Sequence, residues 1–588
     1  MNQRWDLDAL YTSFESKEFQ NDFSKTDAML VQFSAWVNET FISHDNEAKM
    51  IADYIKKNEE ISMVFFRLGA YSNLRLSTEA KNTEALTYSE KIRLKLSDFT
   101  QPTILFEKWL GEINNLSQLI ESSKELEPFR FYLIEIAENN KFNLSEKEEI
   151  IISKMQTTGS SAWSNLQNLL SSTLMVDITL NDVHKTLPIS VVRNMAFESD
   201  QTVRKTAYEA ELKAYKKIEE SSAAALNAIK GEVTTLAKMR GFESPLHMTL
   251  HNSRMDKETL DAMMTAVKES LPAFRKYFRK KAEILSHKNG LPFYDLFATI
   301  GDTDKSYSYE EAHAFIVEQF GTFSKKLADL ADKAFTKHWI DAEPRDGKRG
   351  GAFCSNLRPI KESRILTNFN GKMKNVTTLA HELGHAYHGD CIFKEHLFNS
   401  QYTMPVAETA SIFCETIVGN AVMKNASAHD LKGLLESELA DQGQTVVDIY
   451  SRYLFESELF ERRKDASVHV EQLKEMMLRA QKEAYGDGLD HECLHPYMWA
   501  NKPHYYTAGN NFYNFPYTFG LLFAKGLYAI YQERGDAFVA QYDTLLQATG
   551  KNSIADAAKI VKIDVRDVDF WRRSLKLIEK NIETFISL

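Results

Sequence analysis

The stretch Val376-Thr-Thr-Leu-Ala-His-Glu-Leu-Gly-His-Ala-Tyr-His388 decides how the rest of this chain is read. It sets His381 and His385 four residues apart, with Glu382 directly after the first. On an α-helix, residues four apart stand only ~40° apart around the axis, so both rings can grip one metal ion. Glu382, ~100° round from His381, can reach a water beside that ion and take its proton. The H-E-x-x-H pattern owes its chemistry to this geometry. Asn375 is a fitting N-cap, which predicts a helix starting near Val376. On that helix Val376, Leu379, Leu383 and Tyr387 fall on one side, and His381, His385 and His388 on the other. A surface helix carries Lys and Glu opposite its apolar stripe. Three histidines there predict a second lined face, such as a cleft wall.

A catalytic zinc takes three protein ligands and leaves one position to water. A metzincin needs a histidine ten residues after His381. That position is Cys391, which removes the metzincin pattern. His388, one turn beyond His385, is expected to line the cleft or to support a ligand. Downstream acids remain, Glu395, Glu408 and Glu415. Glu395 sits in a charged segment. Glu408 lies in Met404-Pro-Val-Ala-Glu-Thr-Ala-Ser-Ile-Phe-Cys-Glu415, which is expected to be helical with Pro405 in its first turn. Glu408 and Glu415, seven apart, share one face of an otherwise small and apolar helix. Carboxylates there are costly unless paired with a cation, a metal or donors. This assigns Glu408 as the third ligand and Glu415 as the carboxylate that orients a ligand histidine. The reverse assignment is the alternative.

The composition frames the site. Hydrophobic residues make up 43% and charged residues 26% of 588 residues, an ordinary globular balance on a chain long enough for more than one core. Only 12 prolines and 24 glycines break it up, so a mainly α protein is expected. The net charge of −11, with no basic stripe, argues against nucleic acid. The start, Met1-Asn-Gln-Arg-Trp-Asp-Leu-Asp, has no basic-then-apolar signal pattern, and no segment is apolar enough to span a bilayer. A cytoplasmic location without membrane contact is therefore expected. The four cysteines are scattered, as structural thiols in a reducing compartment would be.

Along the chain, 50–55, 64–74 and 85–96 carry helical apolar spacing. Residues 159–164 form a break in composition. From 174 to 189 apolar and polar residues alternate around Asn181-Asp182, which predicts a small hairpin. Leu226, Ile229, Val233 and Leu236 form a helical stripe ended by Gly241, and Asp256 is a fitting N-cap for the next helix. Residues 292–345 keep a helical pattern with loops. Arg345-Asp-Gly-Lys-Arg-Gly-Gly351 is a basic glycine-rich loop, either a plain turn or a loop that touches substrate through Gly350, Gly351 and Ala352. Two strand-like pieces follow, 352–357 and 364–370. One of them, as an edge strand, can pair with an extended peptide. The chain closes with Trp571, Leu575, Ile578, Ile582 and Phe585 at helical spacing.

Together, His381-Glu-Leu-Gly-His-Ala-Tyr-His388 and Ala407-Glu-Thr-Ala-Ser-Ile-Phe-Cys-Glu415 resemble the oligoendopeptidase F branch of the thimet-oligopeptidase-like metallopeptidases. So do Trp5-Asp-Leu, Ala225-Leu-Asn-Ala-Ile-Lys-Gly-Glu232, Gly347-Lys-Arg-Gly-Gly-Ala-Phe-Cys354, Met498-Trp-Ala-Asn-Lys-Pro-His504 and Phe512-Tyr-Asn-Phe-Pro-Tyr-Thr-Phe-Gly520. The resemblance implies a zinc endopeptidase with one Zn2+ per chain that cuts short unstructured oligopeptides. It implies a two-lobed, zincin-like helical body with a small β-sheet beside the histidine helix and a deep channel between lobes. The lobes are expected at 1–198, with the hairpin near 174–189, and at 199–588, as a monomer or weak homo-oligomer. It also implies that His504 and Tyr517 face the zinc from across the cleft, with Tyr513 and Tyr505 as further candidates, Tyr505 toward substrate. Two rival functions are a metallocarboxypeptidase of a related helical fold and a non-catalytic peptide-binding protein with a vestigial metal site.

Overall fold

The computed structural model describes residues 1–301 and 306–588. The protein is mostly helical, with a two-stranded and a three-stranded sheet. The first 140 residues fold as helices around their own core. Helix α1 (Lys17–Thr40) is capped by Ser16, and α3 (Thr83–Ser97) by Asn82. The separate runs expected at 50–55 and 64–74 are one continuous helix, α2 (Glu47–Thr78). The polar patch between them is rich in helix formers, Lys56, Lys57, Glu59 and Glu60, so the helix runs through it.

Two apolar cores result. The first gathers side chains such as Phe33, Tyr54, Phe65, Leu68 and Phe106, and takes just one buried residue from later in the chain, Leu357. The second runs from Leu174 to Phe585. The hairpin is present as β1 (Met175–Leu180) and β2 (Val183–Pro188), antiparallel. Asn181 and Asp182 both hold positive φ, 49° and 62°, as its two-residue turn demands. Its buried Val176 and Ile178 belong to the second core, so side chains change core between Ile136 and Leu174, ahead of the boundary expected at 198. The break expected at 159–164 is only a helix start, with Gly159 at the cap position of Ser160–Thr173.

Within the second core the helix Glu219–Met239 carries the expected stripe, and the chain turns after it at Gly241, φ 85°. Asp256 caps Lys257–Ile284, its side chain accepting from Thr259 N at 2.8 Å. The closing helix Val568–Ser587 buries Trp571, Leu575, Ile578, Ile582 and Phe585 and packs on Lys257–Ile284. In the 292–345 segment, Tyr309–Phe323 and Lys325–Thr336 are helices, and positions 302–305 lie outside the described residues. Among the described residues no helix is long and apolar enough to cross a membrane.

The three-stranded sheet prepares the site. It consists of β3 (Ile340–Asp341), β4 (Phe353–Leu357) and β5 (Glu362–Leu366) in the order β3-β5-β4. β5 runs parallel to β3 and antiparallel to β4, pairing Cys354 with Ile365 and Asn356 with Ser363. β4 is thus an edge strand, and it lies against the helix that carries His381 and His385. The glycine-rich loop before β4 is pinned by Lys348. Its side chain is fully buried, with the ammonium 2.7 Å from Asp341 Oδ1 and 2.6 Å from the Thr367 carbonyl.

Candidate active site

The histidine helix spans Met373–Ile392, one turn earlier than Asn375 would have capped it. Lys372 takes the cap position, and Asn375 instead accepts from Asn370 N through its side-chain oxygen at 2.9 Å. Val376, Leu379, Leu383 and Tyr387 are buried on one face. His381 and His385 lie on the other, partly exposed.

Gly384 explains how carboxylates reach them. A Cβ there would lie 2.4 Å from the Ala410 carbonyl oxygen and 2.6 Å from Ser411 Cα. Only glycine lets the next helix, Thr409–Lys424, cross this closely. The expected continuous helix through Pro405 is broken at Glu408, which sits between Met404–Ala407 and Thr409–Lys424. The break frees Glu408 to turn toward the histidines. Its Oε2 lies 3.2 Å from His381 Nε2 and 3.5 Å from His385 Nε2, and Ser411 Oγ donates to the same oxygen at 2.6 Å. Glu415 reaches only the far nitrogen of His381, Nδ1, at 3.1 Å. The two carboxylates thus occupy different places, one facing both Nε2 atoms and one behind a ring.

The donor atoms of His381, His385 and Glu408 all lie within 4.8 Å of one another, and among the described residues they are the one such cluster. Two imidazoles and one carboxylate around so small a space match the donor set and size of a zinc site. A carboxylate behind a ligand histidine fixes which ring nitrogen points inward. Electrostatics follow the same layout. Burial works against a charge on His381, but hydrogen bonds to Glu408 and Glu415 outweigh it and lift the ring to about 10. Burial, aided by the charge on His381, takes His385 down to about 4 despite the pull of Glu408. Burial also opposes ionisation of Glu408, yet the histidines and Ser411 hold it at about 2. Glu382 differs. It is 6% exposed, its Oε2 has no hydrogen-bond partner, and burial pushes it up to about 7.

These groups line a cavity of about 380 Å³ whose other wall is β4, through Cys354, Asn356 and the preceding Ala352. Asn356 ties strand to helix, donating to the His385 carbonyl at 3.2 Å. It fits because residue 389 is glycine, where a Cβ would lie 2.3 Å from Asn356 Oδ1. His388 does not reach the ligands. It is fully buried, bonded through Nε2 to Thr549 Oγ1 at 2.8 Å and stacked at 4.2 Å on Tyr402, which lines the cavity. Its contacts are thus Tyr402 and Thr549 and not a ligand histidine, because one turn beyond His385 the same helix face is covered by those residues.

The aromatic segment approaches from the helix Phe515–Arg534. Its Gly520 lies so close to Glu408 that a Cβ would come 2.9 Å from that residue's Cβ. One turn earlier, Tyr517 forms a ring cluster with Tyr513 and His504, the two tyrosine centroids 5.6 Å apart. Burial and then Tyr513 push the Tyr517 hydroxyl up to about 12, and the Glu408 charge adds to the rise. Tyr505 is the exception. It is 2% exposed with its ring 5.2 Å from Phe455, so it is a core residue closed to substrate. Gly350 and Gly351 are exposed ahead of β4, Gly351 with φ 80°. Gly384, Ser411, Asn356, Tyr402 and Gly520 were not singled out by the sequence. Asn356 alone left a trace, as an asparagine inside a strand pattern, where that residue is uncommon.

A helix bearing two histidines and a glutamate, a further glutamate from the next helix, and an edge strand alongside define the class of metal-dependent peptidases. The model of Peptidase family M3 matches residues 194–577, and that of Oligopeptidase F matches 112–175. The chain belongs to peptidase family M3 and is a metalloendopeptidase. It is similar to the Oligoendopeptidase F homolog of Borreliella burgdorferi, at 24% identity over 96% of this chain and 94% of the relative. It is also similar to Oligopeptidase PepF of Bacillus subtilis, at 22% identity over 98% and 86%. The fold is shared with a putative peptidase from Chlamydophila abortus (TM-score 0.86, 23% identity, 100% and 98% covered). It is shared too with oligoendopeptidase-F from Enterococcus faecium (TM-score 0.69, 17% identity, 97% and 98% covered).

Proposed function

We propose that this chain is a zinc-dependent endopeptidase that hydrolyses internal bonds of short, unstructured oligopeptides. The observation that carries this is the convergence of His381, His385 and Glu408 beside a buried Glu382 whose Oε2 has no partner. Zinc held by those three residues would supply a Lewis acid that polarises the scissile carbonyl and makes the attacking water more acidic.

The chain's own groups do the rest. Glu382 takes the water's proton on its free carboxylate oxygen and delivers it to the leaving amine nitrogen. Glu415 holds the His381 ring by Nδ1, and Ser411 holds Glu408, so neither ligand must reorganise during turnover. An extended peptide adds to the free edge of β4 through main-chain hydrogen bonds, which fix it without demanding particular side chains. His504, Tyr513 and Tyr517 form the wall from which a donor reaches the developing oxyanion. A segment held in a folded protein cannot enter the cleft as an isolated extended strand, which restricts substrates to flexible peptides.

The test is Glu382→Gln assayed with a mixed peptide set by mass spectrometry, alongside metal analysis and a chelator-treated sample. The variant keeps one zinc per chain and loses cleavage at least a hundredfold, the scale of a general base. Chelation abolishes internal cuts. Turnover near the parent level in a metal-loaded variant would rule the mechanism out, and cuts confined to the last residue would favour a carboxypeptidase.

A further inference from the structure

A second and larger cavity, about 1090 Å³, opens beside the catalytic one. It runs between α2 and α3 on one side and the glycine-rich loop with β4 on the other. The two cavities share Phe353 and Cys354 in their walls, so they lie side by side along β4. The lining of the larger one is mostly apolar, and it leaves the large side chains Phe66 and Leu96 38% and 40% exposed to water. Among the described residues, no acidic one lines it. Its two cations are Lys348 and Arg349. Lys348 is buried and committed to Asp341 and backbone carbonyls. Arg349 is exposed, with its guanidinium 5.6 Å from the Phe353 ring, and forms no ion pair among the described residues. Its backbone is held in place, its N–H donating to the Ser77 carbonyl of α2 at 2.8 Å and its carbonyl accepting from Asn368 Nδ2 at 3.1 Å.

On a chain of net charge −11, an unpaired arginine in an acid-free apolar groove has an evident counterpart. We propose that this groove binds the carboxyl-terminal arm of the peptide substrate, with apolar side chains resting on Phe66, Leu96 and Phe353 and the terminal carboxylate on Arg349. The inference rests on the endopeptidase reading above and names the end of the substrate that is read. Strand direction supports it independently. A peptide added antiparallel to β4, the commoner pairing, runs its carboxyl end toward the start of that strand, where Arg349 stands. A parallel peptide would bring its ammonium to the guanidinium and be repelled. An arginine on a carboxylate is also the better-shaped match, since two N–H groups can meet two oxygens.

The test compares one internally cleavable peptide as free acid and as C-terminal amide, with the parent protein, Arg349→Ala and Arg349→Lys. The parent protein favours the free acid by about tenfold in kcat/KM, carried by KM. The ratio falls to near one in Arg349→Ala and lies between in Arg349→Lys. Extending the peptide at its carboxyl end moves the cut site with the new terminus in the parent protein, and less so in Arg349→Ala. A ratio that is the same in all three proteins, or a parent protein that does not discriminate, overturns the proposal while leaving the endopeptidase reading intact. If the zinc-loaded parent protein cuts neither peptide, both readings fall.

Discussion

At the scale of single residues, the site depends on glycines as much as on ligands. Gly384 sits inside the H-E-x-x-H pattern, yet its role is the crossing of two helices, with Ala410 and Ser411 where a side chain would go. Gly384→Ala forces the new Cβ against the backbone of Ala410 and Ser411, and overpacking of this kind costs about 1–3 kcal/mol. The strain falls on the helix that carries Glu408 and Glu415. The expected outcome is a folded variant with a lower unfolding midpoint and zinc affinity reduced by tenfold or more, read by competition with a chelator. Parent-like affinity would show that the crossing can relax. This residue also marks the limit of the sequence. Ligand types and their spacing are written locally, so His381, His385, Glu382 and Glu408 could be picked out. Why position 384 is small is written in a contact with residues 410 and 411, which no local pattern displays. His388 failed for the same reason, since its helical angle matched the cleft face but its partners, Thr549 and Tyr402, lie elsewhere in the chain.

At the scale of elements, the site is a joint between an edge strand and a helix, and Asn356 is its pin. Its side chain donates to the His385 carbonyl and accepts from Ser363 Oγ at 2.7 Å, so it joins β4, β5 and the histidine helix. Asn356→Ala loses both bonds, at about 1 kcal/mol each, a modest stability loss. If β4 is the strand that pairs with substrate, as proposed, the larger effect belongs on KM, expected to rise several-fold with zinc content unchanged. Steady-state kinetics with metal analysis check this, and a change in kcat alone would speak against strand pairing. The elements themselves were legible where periodicity was long, as in the closing helix and the 219–239 stripe. They were misjudged where one helix ran past a polar patch, as in α2, or where a functional residue broke a regular run, as at Glu408. Helical propensity could not show that break, because the turn of Glu408 toward His381 and His385 is set by contacts between helices and not by a local preference.

At the scale of the whole molecule, three distant segments meet at a buried ion pair. Lys230 donates to Glu456 Oε1 at 2.8 Å and to Asn511 Oδ1 at 2.9 Å, and Asn514 Nδ2 donates to Glu456 Oε2 at 3.0 Å. Both charged side chains are essentially inaccessible. Asn514 precedes the helix bearing Tyr517, so the network positions the aromatic wall. Removing one partner strands the other charge, which costs about 3–5 kcal/mol. Lys230→Met is expected to lower the unfolding midpoint and kcat together. The pair Lys230→Met, Glu456→Leu recovers much of the stability but not the kcat, since Asn511 and Asn514 stay unheld. Recovery of both would make the network merely structural.

Leu357, the one buried residue among the described residues that the first core takes from later in the chain, is the last residue of β4. Nearby, buried Arg364 of β5 donates to the Asp6 carbonyl at 2.6 Å, and Asp6 N donates to the His338 carbonyl at 2.8 Å. The strand that borders the catalytic cavity is thereby sewn to the opening residues and to the opening lobe. The stretch matched by the Peptidase family M3 model, 194–577, is therefore expected to lose peptidase activity when expressed without the opening residues, which a cleavage assay of that fragment checks. Cut free, it would keep all of its metal donors but lose the seam that holds the substrate's docking edge in place.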